Sequence, residues 1–252
     1  MSEPTTSAPE TWDAFFSEFY LRAYAAEQRQ SEATAQALAA ARLADCPPAG
    51  DVLDVPCGFG RHAIPLSEAG YRVVGVDRSQ TLLDEARRRG QGRQQPTLVR
   101  ADYRDLPFKD EAFDLALNLF SSLGYLGDEG DTAALAEIGR VLRPGGRLVI
   151  ETMHRDLLVR GFQERDWRPA GEGRLLLEQR TFEESAGIAQ VTQTLIDPQG
   201  GRESHSYSIR VYTATELRAM LAAAGFAESR CYGDFDRAPF SAGTRLVVLA
   251  TR

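Results

Sequence analysis

The chain has no paired cysteine spacing, no membrane-length apolar run and no excess of basic residues, and each absence removes a class of function. Its three cysteines, Cys46, Cys57 and Cys231, are scattered, with no CxxC and no Cys/His ligand spacing. That excludes a disulfide scaffold and a structural zinc site, so no metal is expected. Unpaired thiols fit a reducing, cytoplasmic setting. No apolar stretch approaches the roughly 20 residues that span a bilayer. Acidic residues number 36 and basic residues 29, for a net charge of −7. That balance opposes long-range attraction to nucleic acid or an anionic membrane. The opening MSEPTTSAPE is polar and proline-bearing, without a basic segment followed by an apolar one. It reads as a disordered lead over residues 1–10 and not as a signal peptide.

What is present is an ordinary globular composition over 252 residues, with 43% hydrophobic and 26% charged side chains. That is enough for one α/β domain with a large core. From Thr11, Trp12, Phe15, Phe16 and Phe19 fall on one helical face, and Tyr20 and Tyr24 lie one turn apart. An alanine-rich helix over 31–43 stops before Pro47-Pro48. Strands are then expected at 52–55, 72–76, 97–100, 115–119 and 148–151, with helices between them. Ser79 should cap one helix and Gly90 stop it, while Asp131 should cap another that runs to Leu142. Pro144-Gly145-Gly146 should turn the chain into the fifth strand. This alternation predicts a parallel sheet covered on both faces. After Thr152 three period-two segments, 174–182, 188–196 and 204–212, predict an antiparallel meander. A helix over 215–224 and an antiparallel strand pair, 228–234 and 245–250, close the chain.

The stretch VLDVPCGFGRHAIPLSEAGYRVVGVD (52–77) joins strand, glycine turn, helix, strand and acid. Gly58 and Gly60 let backbone N–H groups approach a ligand that a Cβ would block. Asp77, ending the second strand, suits ribose hydroxyls. The loose GxGxx[G/A] pattern alone also fits a dinucleotide. Three features pull away from that. Asp54 precedes the glycines, where an acid repels a pyrophosphate but attracts an ammonium. Asp102 follows the third strand, where an acceptor suits an exocyclic adenine amine. Leu142-Arg143-Pro144-Gly145-Gly146 precedes the fifth strand, and a strand pair ends the chain. A ligand with an amino acid end, a ribose and an adenine but no phosphate satisfies all three; S-adenosyl-L-methionine is such a ligand.

With DVPCGFGRHA, VVGVD, RADYRDLPF, FDLALNLFSSLGYL and LRPGGRLVIE in order, the chain resembles the class I S-adenosylmethionine-dependent methyltransferases from about Gly50 onward. The resemblance implies one doubly wound, mostly parallel seven-stranded Rossmann-like sheet with an N-terminal helical lid and an inserted antiparallel three-strand meander. Its parts would be a lid over 11–45, a cofactor-binding core over 46–155 and 213–252, and an acceptor-side insertion over 156–212. By the same resemblance Gly58 and Gly60 cradle the methionine moiety, with Pro56 and Cys57 in the turn and Asp54 near the amine. Asp77, with Arg78 beside it, would hold the ribose. Asp102 would meet adenine N6 between Ala101 and Tyr103, and Asn118, Leu119 and Phe120 would lie near the transferred methyl. Pro56 and Phe59 replace small residues common in this turn. A finer likeness, in FYLRAYAAE, NLFSSLGYL, the insertion and EL-x-x-ML-x-x-AGF, is to amino-sugar N,N-dimethyltransferases. It implies that Tyr20, Arg22 and Tyr24 belong to the lid and that Tyr125 faces a small-molecule acceptor.

An amine acceptor must lose a proton before attack, and Tyr125, His154 or His205 are the candidates to take it. Cys57 reads as a small buried residue, and His62 as packing or solvated. A base-modifying enzyme would need a Pro-Pro-aromatic motif or a nucleophilic cysteine after the fourth strand; Asn118-Leu119-Phe120-Ser121 has neither. A protein methyltransferase, a nicotinamide oxidoreductase and a non-catalytic cofactor-binding module are the other readings. Monomer and homodimer both stay open.

Overall fold

The computed structural model describes residues 14–24 and 30–252. The expected disordered lead and Trp12 lie outside the described residues. The elements in chain order are α1 (Glu18–Tyr24), α2 (Gln30–Leu43), β1 (Asp51–Asp54), α3 (Ala63–Glu68), β2 (Arg72–Asp77) and α4 (Gln80–Arg89). There follow β3 (Thr97–Arg100), β4 (Phe113–Asn118), α5 (Gly127–Val141), β5 (Leu142–Thr152) and α6 (Arg155–Arg160). The chain ends with β6 (Arg165–Pro169), β7 (Leu175–Glu183), β8 (Ile188–Ile196), β9 (Arg202–Arg210), α7 (Ala214–Ala223), β10 (Glu228–Tyr232) and β11 (Leu246–Thr251).

Seven strands form one sheet in the order β10-β11-β5-β4-β1-β2-β3. Only β11 runs antiparallel to β5, and β10 antiparallel to β11. Alternation along the strands sorts the core into two layers. Leu53, Ala116, Leu148 and Val248 face α5 and α7 through Leu135, Ile138, Leu217 and Leu221. Val52, Leu115, Val149 and Val247 face α2 and α3 through Ala37, Ala41, Ala63 and Leu66. Within the expected lid, α2 is therefore part of this core layer, and among the described residues it is the α1 region that reaches the cavity described below. No helix among the described residues is long and apolar enough to cross a membrane.

Local chemistry sets the boundaries. The Ser79 side chain accepts the Leu82 N–H at 3.3 Å and Gly90 ends α4, as expected. Asp131 does not cap α5. That helix begins at Gly127, and Asp131 is buried within it, accepting the Tyr212 hydroxyl at 2.8 Å. The turn expected at Pro144-Gly145-Gly146 is instead a bulge inside β5. Leu142 already pairs with Phe113, and the register shifts before Arg147 pairs with Leu115. Gly145 takes φ +76° there, which only glycine adopts freely.

Between α6 and α7 the three expected strands form, joined by a fourth, β6, at the edge of the sheet β6-β7-β8-β9. RDWRP is charged, ends in proline and shows no alternation, which suits an exposed edge and hides it from a pattern search. The inner face of this sheet packs Leu176, Val191 and Tyr207 against Phe15, Phe19 and Ala23. The Phe15 and Tyr207 rings lie 4.5 Å apart. The excursion closes on itself where the Arg155 N–H donates to the Tyr212 carbonyl at 3.0 Å.

Candidate active site

A cavity of about 960 Å³ opens at the carboxyl ends of β1, β2 and β4 and continues under the inserted sheet. It sits at the upper end of the roughly 300–1,000 Å³ of small-molecule sites. One end is walled by Pro56, Cys57, Gly58, Asp77, Arg78, Asp102 and Tyr103, and the other by Tyr125, Leu158, Glu178, Arg180, Val191 and Tyr207. Phe15, Phe16, Tyr20 and Tyr24 close over both.

The three acids singled out by spacing differ in state. Asp77 is buried and spans the turn: its two oxygens accept the Gly58 and Ser79 N–H groups, each at 2.8 Å. Burial outweighs those bonds and lifts its pKa to about 6. Asp54 is 1% exposed, and neither of its oxygens has a partner of good geometry. Burial raises it to about 8, with the Ala63 N–H opposing and the Asp77 charge adding to the rise. Asp102 is half-buried. Burial alone would raise it, but the Arg104 side chain (2.7 and 3.0 Å) and backbone N–H (2.9 Å) hold it below its ordinary value. Arg78 stands 3.5 Å from the same carboxylate. Asp54 itself is not on the cavity wall, nor are Ala101 and Asn118.

Gly58 and Gly60 do different things. At Gly58 (φ +54°) an added Cβ would meet nothing within 4 Å, so its backbone is open toward the cavity. At Gly60 (φ +78°) a Cβ would press on Ile64 and Ala86 at 3.1–3.2 Å. Gly60 serves the packing of α3 on α4 and does not line the cavity. The Val55–Pro56 peptide is cis. Asn118 donates to the Val55 carbonyl at 2.8 Å, and its own carbonyl oxygen is buried without a partner. Leu119 and Phe120 reach the cavity wall. Phe120 and Ser121 take φ of +64° and +55°, a left-handed pair of non-glycine residues held by Glu151, whose side chain accepts the Phe120 N–H at 2.9 Å and whose carbonyl accepts that of Ser121 at 3.0 Å.

The acid–base candidates separate clearly. Tyr125 lies on the cavity wall, its ring 5.0 Å from Phe16 and 5.5 Å from Tyr207. Burial, with Tyr24 and Tyr20 nearby, drives its pKa up, so it stays a neutral phenol. His154 is fully buried away from the cavity; its Nε2 meets the Thr244 carbonyl at 2.9 Å and its ring packs on Phe240. His205 is also off the wall, bonded to Glu203 at 3.1 Å and packed on Phe19. Neither histidine can reach an acceptor directly. Tyr20 lines the cavity, stacked on Tyr24 at 4.7 Å, whereas Arg22 points away and pairs with Glu203. His62 reaches the wall but is buried and held neutral by burial and by Arg61. Cys57 is buried with its thiol pKa pushed up, the state of a packing residue.

Several wall residues escaped the sequence reading. Arg61 leaves the turn into the cavity with its guanidinium 4.3 Å from the Phe120 ring. Glu178 and Arg180 also reach the wall; behind them Glu178, Gln193 and the already noted His205 occupy one rung across β7, β8 and β9. Gln193 donates to Glu178 and to the Tyr24 hydroxyl, and Glu178 pairs with Arg180. The signal for the last group was a polar residue at an inward position of an alternating strand, visible only once facing is known.

A family model described as "Methyltransferase domain" matches residues 52–146. The demethylmenaquinone methyltransferase of Clavibacter sepedonicus is 40% identical over 105 residues, which are 41% of this chain and only 42% of that protein. The cypemycin N-terminal methyltransferase of a Streptomyces species is 31% identical over 206 residues, 79% of this chain and 82% of that one. The chain belongs to the S-adenosylmethionine-dependent methyltransferases. Among solved structures, the amino pentose methyltransferase CalS10 of Micromonospora echinaspora, with S-adenosylmethionine bound, is similar at a TM-score of 0.68 and 26% identity, over 93% of this chain and 97% of that one. The cofactor of this methyltransferase is S-adenosylmethionine, and the residues present fit it. Gly58 offers an open backbone cradle on the wall, and behind it Asp54 and Asn118 carry buried oxygens without partners.

Proposed function

We propose that this methyltransferase acts on a small molecule at an amine nitrogen. The observation that carries the reading is one continuous cavity with the glycine turn at one end and an aromatic-walled inserted sheet at the other. Such a shape brings a donor and an acceptor together and excludes water between them. Bound S-adenosylmethionine supplies a methyl group already activated by its positive sulfur. The chain's own residues then bind and align. In this reading Asp54 faces the amino group, Asp77 the ribose and Asp102 the adenine N6, with Arg78, Ala101 and Tyr103 about the nucleoside. Pro56, Cys57 and Gly58 shape the turn, Leu119 and Phe120 stand near the methyl group, and Tyr20 covers it.

Six rings, Phe15, Phe16, Tyr20, Tyr24, Tyr125 and Tyr207, ring the acceptor end. Their faces favour a cationic or polarised amine. Tyr125 is a neutral phenol that orients the acceptor nitrogen by a hydrogen bond. With His154 and His205 off the wall and His62 depressed by burial and by Arg61, the amine loses its proton to solvent before it is enclosed. Support also comes from similarity to an enzyme of amino pentoses and one of a peptide N-terminus. The demethylmenaquinone relative favours a second reading, a flat quinone ring, which apolar walls would also hold.

The test has two stages. Calorimetry should show binding of S-adenosylmethionine and none of NADH or NADPH. Release of S-adenosylhomocysteine is then followed across amino sugars, peptide N-termini, simple amines and reduced naphthoquinones. Turnover confined to amines supports the proposal, and turnover confined to the quinol overturns it.

A further inference from the structure

We propose that Arg61 grips the carboxylate of the donor's methionine end, so that Asp54 and Arg61 read the two opposite charges of one amino acid zwitterion. The inference rests on the donor reading above and adds to it a residue outside the glycines and acids of the motif.

Arg61 is the first residue after the glycine turn and lies on the cavity wall. Two contacts fix its side chain. Nη2 donates to the Gln36 side-chain oxygen at 3.0 Å, and the guanidinium stacks on the Phe120 ring at 4.3 Å. Nε and Nη1 are buried and have no partner. A guanidinium keeps its charge at any physiological pH, so it cannot relieve this by losing a proton. Buried donors on a charged group are rarely left unpaired unless a ligand completes them.

Asp54 and Glu151 do not complete it. Asp54 is near enough for each charge to influence the other, yet the two form no ion pair. The Glu151 oxygens are taken by the Phe120 N–H and by Arg245. Nε and Nη1 flank the Gln36-bonded Nη2, and each can donate a charge-assisted bond to an oxyanion, either a carboxylate or a phosphate. The orphaned Asp54 decides between them. Beside a phosphate it would simply keep its proton, whereas an ammonium would draw that proton off and pair with it, and an α-amino acid carries an ammonium and a carboxylate on one carbon. Stacking on Phe120 further ties the grip to the left-handed turn beside the proposed methyl position.

The test compares two ligands that share adenine, ribose and sulfur but differ in the amino acid end. S-adenosylhomocysteine has it, and 5′-methylthioadenosine lacks it. Calorimetry is run on wild type, Arg61→Met, which keeps an apolar stem on Phe120, and Arg61→Lys, which keeps the charge without the fork. Loss of charge-assisted bonds predicts S-adenosylhomocysteine binding about 10- to 100-fold weaker in Arg61→Met, with a smaller loss in Arg61→Lys. Binding of 5′-methylthioadenosine should stay within about twofold. Equal losses for both ligands, or none for either, would overturn the assignment. Should Arg61→Met not fold, wild type is titrated with S-adenosylmethionine and its decarboxylated analogue. A preference under about threefold would then overturn it. Failure of wild type to bind S-adenosylhomocysteine at all would instead sink the donor reading.

Discussion

A carboxyl group with both oxygens buried and unpartnered, like that of Asp54, keeps its proton to about pH 8. An acid whose folded pKa is raised favours the fold below its unfolded value near 4. That advantage is lost as pH climbs toward the folded value. Asp77, raised to about 6, acts with the same sign over the lower part of that range. His62, held neutral by burial, works in the opposite direction up to about pH 6.5, so the ligand-free protein should lose stability through Asp54 between about pH 6.5 and pH 8, and Asp54→Asn should raise its melting temperature at pH 8. An ammonium placed on Asp54 would pull the proton off. At pH 7, calorimetry of S-adenosylmethionine in buffers of different ionisation enthalpy should report proton release in wild type and less in Asp54→Asn. Equal proton release in the two would refute the Asp54 assignment. The acids were legible because strand-end spacing announces them. Arg61 was not, since its orphaned N–H groups exist only once Gln36 and Phe120 are brought beside it.

At the scale of the element, the junction between inserted sheet and core hangs on one helix start. Thr213 caps α7 by accepting the Glu216 N–H at 3.2 Å, while Glu216 accepts the Thr213 N–H at 2.7 Å. The same Glu216 holds Arg155 at 3.1 Å and Arg210 at 2.7 Å. Burial alone would raise its pKa, but the Thr213 N–H and Arg210 bring it down to about 2. Its contribution is thus complete above its unfolded value and fades as pH falls toward 2. Thr213→Ala should cost about 1 kcal/mol in urea unfolding, since it removes the cap and the hydroxyl's bond to the Glu216 carboxylate but leaves both ion pairs. Glu216→Ala should cost more, because it also frees two cations. Caps of this kind were legible at Ser79. Asp131 misled because an acid before a helical run looks the same whether it caps the first turn or bonds a distant tyrosine. The bulge in β5 and the edge strand β6 were hidden for a related reason: both depend on a neighbouring strand and not on local pattern.

Across the whole molecule, the mostly parallel sheet with helices on both faces followed from the alternation of strands and helices, while the strand order and the acceptor end depended on pairing and on which way β7, β8 and β9 face. The α1 region belongs mechanically to that inserted sheet. Phe15 packs on Tyr207, Tyr24 bonds Gln193, and Arg22 pairs with Glu203. Phe15→Ala should therefore cost about 3–5 kcal/mol. Amide exchange should quicken in α1 and β9 together while β1, β4 and β5 stay protected; quickening in α1 alone would contradict the coupling. The backbone bond between Arg155 and Tyr212 has a wider consequence. Everything between those residues leaves the seven-stranded unit and returns to it beside its point of departure. Exchanging that cassette would leave the glycine turn and its acids in place but would have to bring a matching α1 region with it, because Phe15, Tyr24 and Arg22 are held by the inserted strands.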